Sequence, residues 1–185
     1  MKIVSVNIGK KRTVTWKNKT YETGIYKKPV DTSIFLGKED VVKDDVIDRK
    51  HHGGVDQAVY AYGENHFAYW KNLYPNLAFN YGMFGENLTI SNLNEEKLFI
   101  GDIYQLGECK LEVSKPRQPC VKLGIRFQDA KVIKQFWNTT KSGVYFKVLE
   151  TGKVTKNDAL ILLKKANNTP SIAEVYKRKR VEKNE

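Results

Sequence analysis

Apolar and polar residues alternate in short runs over most of this chain. Residues 3–8 and 13–16 show the every-second-residue pattern of half-buried strands, and Lys17-Asn18-Lys19 is a turn into a third strand at 20–26. Residues 55–62, Leu88–Ile90, Ile103–Leu106, 109–114, Val144–Glu150 and 159–163 read the same way. Gly107-Glu108 closes a tight hairpin, and Thr151-Gly152-Lys153 is a turn. Helical spacing is confined to fewer places. Phe67, Trp70, Leu73 and Tyr74 share a face over 64–74, which Pro75 ends, and Val132, Ile133, Phe136 and Trp137 share one over 129–137. Many short strands without strand–helix alternation predict a mainly β (α+β) fold, an antiparallel barrel with a few inserted helices. Asn167-Asn168-Thr169-Pro170 reads as a linker. Ser171 then caps a short helix with Ile172, Val175 and Tyr176 on one face and Glu174 at the capping-box position. The expected division is a domain over 1–165 and a linker with a short helical tail over 166–185.

Composition narrows the class. At 185 residues, 41% apolar and 29% charged, the chain suffices for one buried core. No run approaches the roughly 20 apolar residues that span a bilayer, and the first residues lack a signal peptide's apolar core. A cytoplasmic protein with no membrane partner is expected. The net charge of +11 calls for an anionic partner, but it is unevenly spread. Residues 60–109 carry two lysines against six carboxylates, whereas 110–141 carry eight basic side chains against Glu112 and Asp129. No RRM, KH or zinc-finger spacing accompanies the charge, so nucleic acid is not the expected partner. Lys177-Arg178-Lys179-Arg180 reads as a solvated helix end.

The basic stretch surrounds one of two cysteines. Cys109 alternates with Leu111 and Val113 and reads as a small buried hydrophobe. Cys120 follows Pro116-Arg117-Gln118-Pro119 and precedes Val121-Lys122. Nearby Lys115, Arg117 and Lys122 favour a thiolate, suited either to nucleophilic work with a base such as His52 or to ligation of a thiophilic metal whose cofactor carries a phosphate. Two other stretches carry candidate chemistry. In Lys50-His51-His52-Gly53-Gly54-Val55-Asp56 the glycines let backbone N–H groups approach an anion, yet neither a Walker A loop nor HExxH is present. In Met83-Phe84-Gly85-Glu86-Asn87-Leu88 the Glu86/Asn87 pair suits an amino-pyrimidine edge, or a turn that satisfies its own backbone.

The order of these stretches resembles the MOSC family, domains similar to the C-terminal part of molybdenum cofactor sulfurase, and within it the YiiM-type branch. The resemblance rests on residues 23–30, Lys50-His51-His52-Gly53-Gly54-Val55-Asp56, Phe84-Gly85-Glu86-Asn87-Leu88, Gly101-Asp102, residues 116–122, and Gly143-Val144-Tyr145 before Gly152, and it spans roughly 1–165. It implies a β-barrel that binds molybdenum cofactor, a pyranopterin dithiolene with a terminal phosphate, with Cys120 supplying a sulfur to the metal. By motif position, His52, Gly53, Gly54 and Asp56 would line the site, with Gly85, Glu86 and Asn87 near the pterin and Arg117 and Lys122 facing anionic groups. Protons would come from His52 or from water, with the orienting of that histidine as the other role open to Asp56. The implied activity is two-electron reduction of N-hydroxylated compounds such as 6-N-hydroxylaminopurine, a detoxification. No flavin, haem or iron–sulfur motif is present, so an external electron-donor protein is implied. The other class of function is a non-catalytic carrier of the cofactor or its sulfur. A homodimer is left open. YiiM-type chains usually continue into three C-terminal helices, of which 171–180 corresponds to the first, and nothing here resembles a pyridoxal-phosphate sulfurase domain.

Overall fold

The computed structural model describes residues 1–47 and 53–184. Its strands are β1 (Ile3–Gly9), β2 (Arg12–Trp16), β3 (Lys19–Thr23), β4 (Lys27–Val30), β5 (Ile34–Leu36), β6 (Val59–Gly63), β7 (Leu88–Ile90), β8 (Ile103–Leu106), β9 (Cys109–Pro116), β10 (Val144–Glu150), β11 (Gly152–Val154) and β12 (Leu160–Lys164). The helices are α1 (Phe67–Leu73), α2 (Val121–Phe127), α3 (Lys131–Trp137) and α4 (Ile172–Asn184).

Eight strands form one sheet in the order β12-β8-β9-β10-β6-β7-β1-β4, antiparallel except between β6 and β7. Its two ends are drawn together by backbone bonds rather than by a full ladder. Lys2 bridges Ala159, Leu160 N–H donates to Met1 O, and Asn157 N–H donates to Ile3 O. The expected barrel is therefore a curled, barrel-like sheet. Inside it lies a mainly aliphatic core that includes Ile3, Val6, Leu88, Leu111, Val113 and Val144, with Phe146 among them. Alternation along β9 and β10 puts every second side chain there, as the sequence predicts.

A second core is aromatic. Tyr62 stacks on Phe84 at 4.1 Å between centroids, Trp70 stacks on Phe136 at 5.7 Å, and Trp70 Nε1–H donates to the Tyr62 hydroxyl at 2.7 Å. The last helix joins it. Tyr176 is fully buried, stacks on Trp137 at 4.9 Å and donates its hydroxyl to Phe136 O, while Ser171 and Glu174 make the expected capping box.

Several local expectations need correcting. The strand expected over 20–26 stops at Thr23. The one expected over 55–62 begins with a 3₁₀ turn at Val55–Gln57, because Gly53 and Gly54 stand at φ +77° and +79° and redirect the chain. The helix expected over 64–74 is a 3₁₀ turn followed by α1, and α3 begins at Lys131. The turn expected at 151–153 contains the start of β11, which pairs with the unexpected β5. Helix α2 was not expected. Apolar Val121, Leu123, Ile125 and Phe127 alternate like a strand, yet Leu123 and Phe127 join the aromatic core and Gln128 ends the helix at φ +53°.

Candidate functional site

Pro116 ends β9, and the chain turns through Arg117, Gln118 and Pro119 to Cys120, which stands in extended backbone just before α2 (φ −131°, ψ 177°). Cys120 is half-buried and borders two adjoining cavities. The inner one, of about 100 Å³, is walled by Thr23, Lys27, Asp44, Tyr60, Asn87 and Arg117. The outer one, of about 480 Å³, is walled by Lys115, Pro116, Pro119, Val121 and Lys179. Gln57, Lys122 and Tyr145 line both.

Arg117 ties the inner cavity to the aromatic core. It is 5% exposed, donates to Phe84 O, and lies 5.1 Å above the Tyr60 ring and 5.8 Å above that of Phe136. Burial opposes its charge, but Tyr60, Tyr145 and Cys120 outweigh that and hold the guanidinium above the ordinary arginine value. It stays a fixed cation beside the Cys120 sulfur. Burial likewise holds the Tyr60 and Tyr145 hydroxyls above the ordinary value, so both remain protonated donors.

Across the cavity, Lys27 on β4 is buried and pairs with Asp44. Burial lowers the lysine from its ordinary value against the pull of Asp44. Asp44 is held in turn, accepting from Gly9 N–H at 2.7 Å and Asn87 Nδ2 at 3.0 Å. Asn87 is fixed in the backbone as well, its N–H donating to Tyr60 O and its carbonyl accepting from Asn7 N–H, both at 2.8 Å. A buried pair held from so many directions keeps one geometry.

Of the residues expected at the site, Gly53, Gly85, Asn87, Arg117, Cys120 and Lys122 line the inner cavity. Gly54 lies beside it, its N–H donating to Glu39 O. Glu86 is elsewhere: fully buried, it accepts from Gly82 N–H, Phe84 N–H and the Thr89 hydroxyl, holding its own loop in shape. That is the turn alternative of the sequence reading. Burial nonetheless raises its carboxyl above the ordinary range. Asp56 is also elsewhere, exposed and paired with Lys147 at 3.4 Å. His52, with Lys50 and His51, lies outside the described residues.

Sequence reasoning missed Lys27, Asp44, Tyr60 and Tyr145 as site residues. The stretches 23–30 and Gly143-Val144-Tyr145 carried the resemblance, so Lys27 and Tyr145 were within flagged signals; Asp44 and Tyr60 come from segments with no motif of their own. It also set aside the terminal basic run. Lys179 is half-buried at the outer cavity, whereas Lys177, Arg178 and Arg180 are exposed.

Comparison with known proteins shows the family and the fold. A family model of the MOSC domain matches residues 48–161. The chain is 38% identical over 170 residues to "Uncharacterized protein YflK" of Bacillus subtilis (strain 168), covering 92% of this chain and 76% of that one. It is 35% identical over 158 residues to a protein named "Reductase" from Gibberella moniliformis, covering 84% of this chain but only 28% of the fungal protein. The solved structure of YiiM from Geobacillus stearothermophilus superposes with a TM-score of 0.81 at 35% identity, covering all of this chain and 86% of that one. By family match, sequence identity and fold alike, the chain belongs to the MOSC domain family.

Proposed function

We propose that this protein binds molybdenum cofactor with Cys120 as the protein's ligand to the metal, and reduces N-hydroxylated substrates with electrons from a separate reductase. The observation that carries the reading is the placement of Cys120, a half-buried thiol where two cavities meet, beside the buried cation of Arg117. The donor set fits a metal that arrives with ligands of its own. Among the described residues no three His, Cys, Asp or Glu side chains cluster to hold a bare ion, and a single thiolate is what a dithiolene-bound metal needs from the protein. MOSC family membership supports the cofactor, and the fungal relative, matched over 28% of its length, is named a reductase.

In this reading the inner cavity forms part of the cofactor site, its volume of about 100 Å³ being smaller than a pyranopterin with its phosphate. Arg117 supplies fixed positive charge for its anionic groups, and the Tyr60 and Tyr145 hydroxyls stay protonated. The cofactor, when bound, supplies the two-electron oxygen-accepting chemistry that amino acids lack. The overall change takes two electrons and two protons, breaks the N–O bond, and leaves an N–H group and water. The outer cavity is the side from which substrate reaches the Cys120 region.

The test is molybdenum and pterin content after expression in a cofactor-competent host, with turnover of 6-N-hydroxylaminopurine by an added reductase. Wild type is expected to carry cofactor and turn over, and Cys120→Ser to lose both at an unchanged melting temperature. Cofactor bound without turnover would make the protein a carrier of cofactor or sulfur. Absence of molybdenum from folded wild type removes the reading altogether.

A further inference from the structure

The outer cavity has a charge pattern that the cofactor reading leaves unused. Lys115 from the end of β9, Lys122 from α2 and Lys179 from α4 reach it from three separate elements, and no carboxylate lines it among the described residues. All three lysines are half-buried. Gln57 and Gln118 add neutral donors, while Pro116, Pro119, Val121 and Tyr145 provide an apolar wall. Its volume of about 480 Å³ falls within the range of small-molecule sites, roughly 300–1,000 Å³.

Lys179 is placed there by design of the helix. Tyr176 anchors α4 through its buried ring and its bond to Phe136 O, and Lys179 follows three residues later on the same face. Neighbours Lys177, Arg178 and Arg180 point to solvent. The helix packs against β9, which brings Lys179 towards the strand end that carries Lys115. Lys122 lines both cavities, whereas Lys115 and Lys179 line the outer one alone.

We infer that the outer cavity recognises a phosphate group on the substrate, so that the preferred substrates are N-hydroxylated nucleotides rather than free bases. The apolar wall takes the base or sugar and the lysines take the phosphate. The inference deepens the reductase reading and rests on it for the N-hydroxyl chemistry, but phosphate recognition is measurable without turnover.

The probes are adenosine 5′-monophosphate and adenosine, titrated calorimetrically into the purified protein at low ionic strength, where charge contacts are least screened. The nucleotide is expected to bind at least about tenfold tighter than the nucleoside, the size of one charge-assisted contact. Lys179→Gln and Lys115→Gln should each cut nucleotide affinity by roughly three- to tenfold, with Lys179→Arg restoring it. Lys177→Gln removes the same charge from an exposed site and should leave affinity unchanged. Equal affinity for the two probes, or an equal loss in Lys177→Gln, overturns the inference. So does loss of molybdenum from Lys179→Gln, which would make the lysines holders of the cofactor's own phosphate. A protein that prefers the nucleotide yet never carries molybdenum sinks the reductase reading alone.

Discussion

The two ends of β9 carry the two cysteines, and they differ in nearly every respect that matters to a thiol. Cys109 opens the strand at the β8–β9 hairpin, pairs with Leu106 and is fully buried in the aliphatic core. Burial, helped by Glu108 and Asp158, pushes its thiol up to about 11. Cys120 lies beyond the other end, past a loop stiffened by Pro116 and Pro119, with Arg117 beside it and a cavity on either flank. The strand's register decides the first case and its termination decides the second. The proposed chemistry sits where the ladder stops, because there the backbone can present a side chain without burying it.

Exchanging the cysteines is the sharpest way to break this comparison. Cys120→Ser is expected to abolish cofactor retention and turnover without lowering the melting temperature. Cys109→Ser should keep the cofactor but lose roughly 1–3 kcal/mol of stability, because a hydroxyl is left without a partner in the apolar core. Both are checked by denaturant unfolding alongside metal analysis. The same contrast appears in pH. Cys109's folded value lies above its ordinary 9.0, so its contribution to stability is complete below pH 9 and is lost as pH rises through about 11. Wild type should therefore lose stability over that interval faster than Cys109→Ala. In folded protein prepared without cofactor, iodoacetamide at pH 8 should label Cys120 and reach Cys109 only on unfolding.

The far end of β9 also depends on α4 as the outer cavity's wall. Tyr176→Ala should cost about 3–5 kcal/mol, as for other large aromatic truncations in a packed core. Tyr176→Phe should cost only about 1 kcal/mol for the hydroxyl's bond to Phe136 O. A near-neutral Tyr176→Ala in thermal unfolding would mean that α4 is dispensable to the core. The smallest effect is expected at Asp56. Asp56→Asn removes an exposed ion pair with Lys147 and should change stability by no more than about 0.5 kcal/mol, with turnover within about twofold. A large loss of turnover would restore the positioning role expected from the His52-to-Asp56 stretch.

Much of this was legible in the sequence, and the exceptions have physical causes. Val144–Glu150 and Ile103–Leu106 were read to the residue because one face meets the core and the other does not. β4 was missed because Lys27-Lys28-Pro29-Val30 is polar, and proline suits an edge strand, which β4 is. α2 was missed because its apolar residues alternate, and only the aromatic core decides that they turn as a helix. At the site, Cys120, Arg117 and Lys122 were legible together because one short segment holds them. Lys27, Asp44, Tyr60 and Tyr145 come from four distant segments, and only the sheet order brings them together. Glu86 and Asp56 show the converse: a motif names a side chain, but not the direction in which it is spent.

The backbone bonds that draw the sheet's ends together join Met1, Lys2 and Ile3 to residues 157–160. On a ribosome adding about 5–20 residues per second, β1 must wait many seconds for these partners to be made. Pairings this distant in sequence belong to slow-folding topologies. β1, which pairs with Lys27 and bonds to Asn87 behind the inner cavity, thus reaches its final form only when nearly the whole chain has emerged, and nascent chains should carry no complete pocket until then.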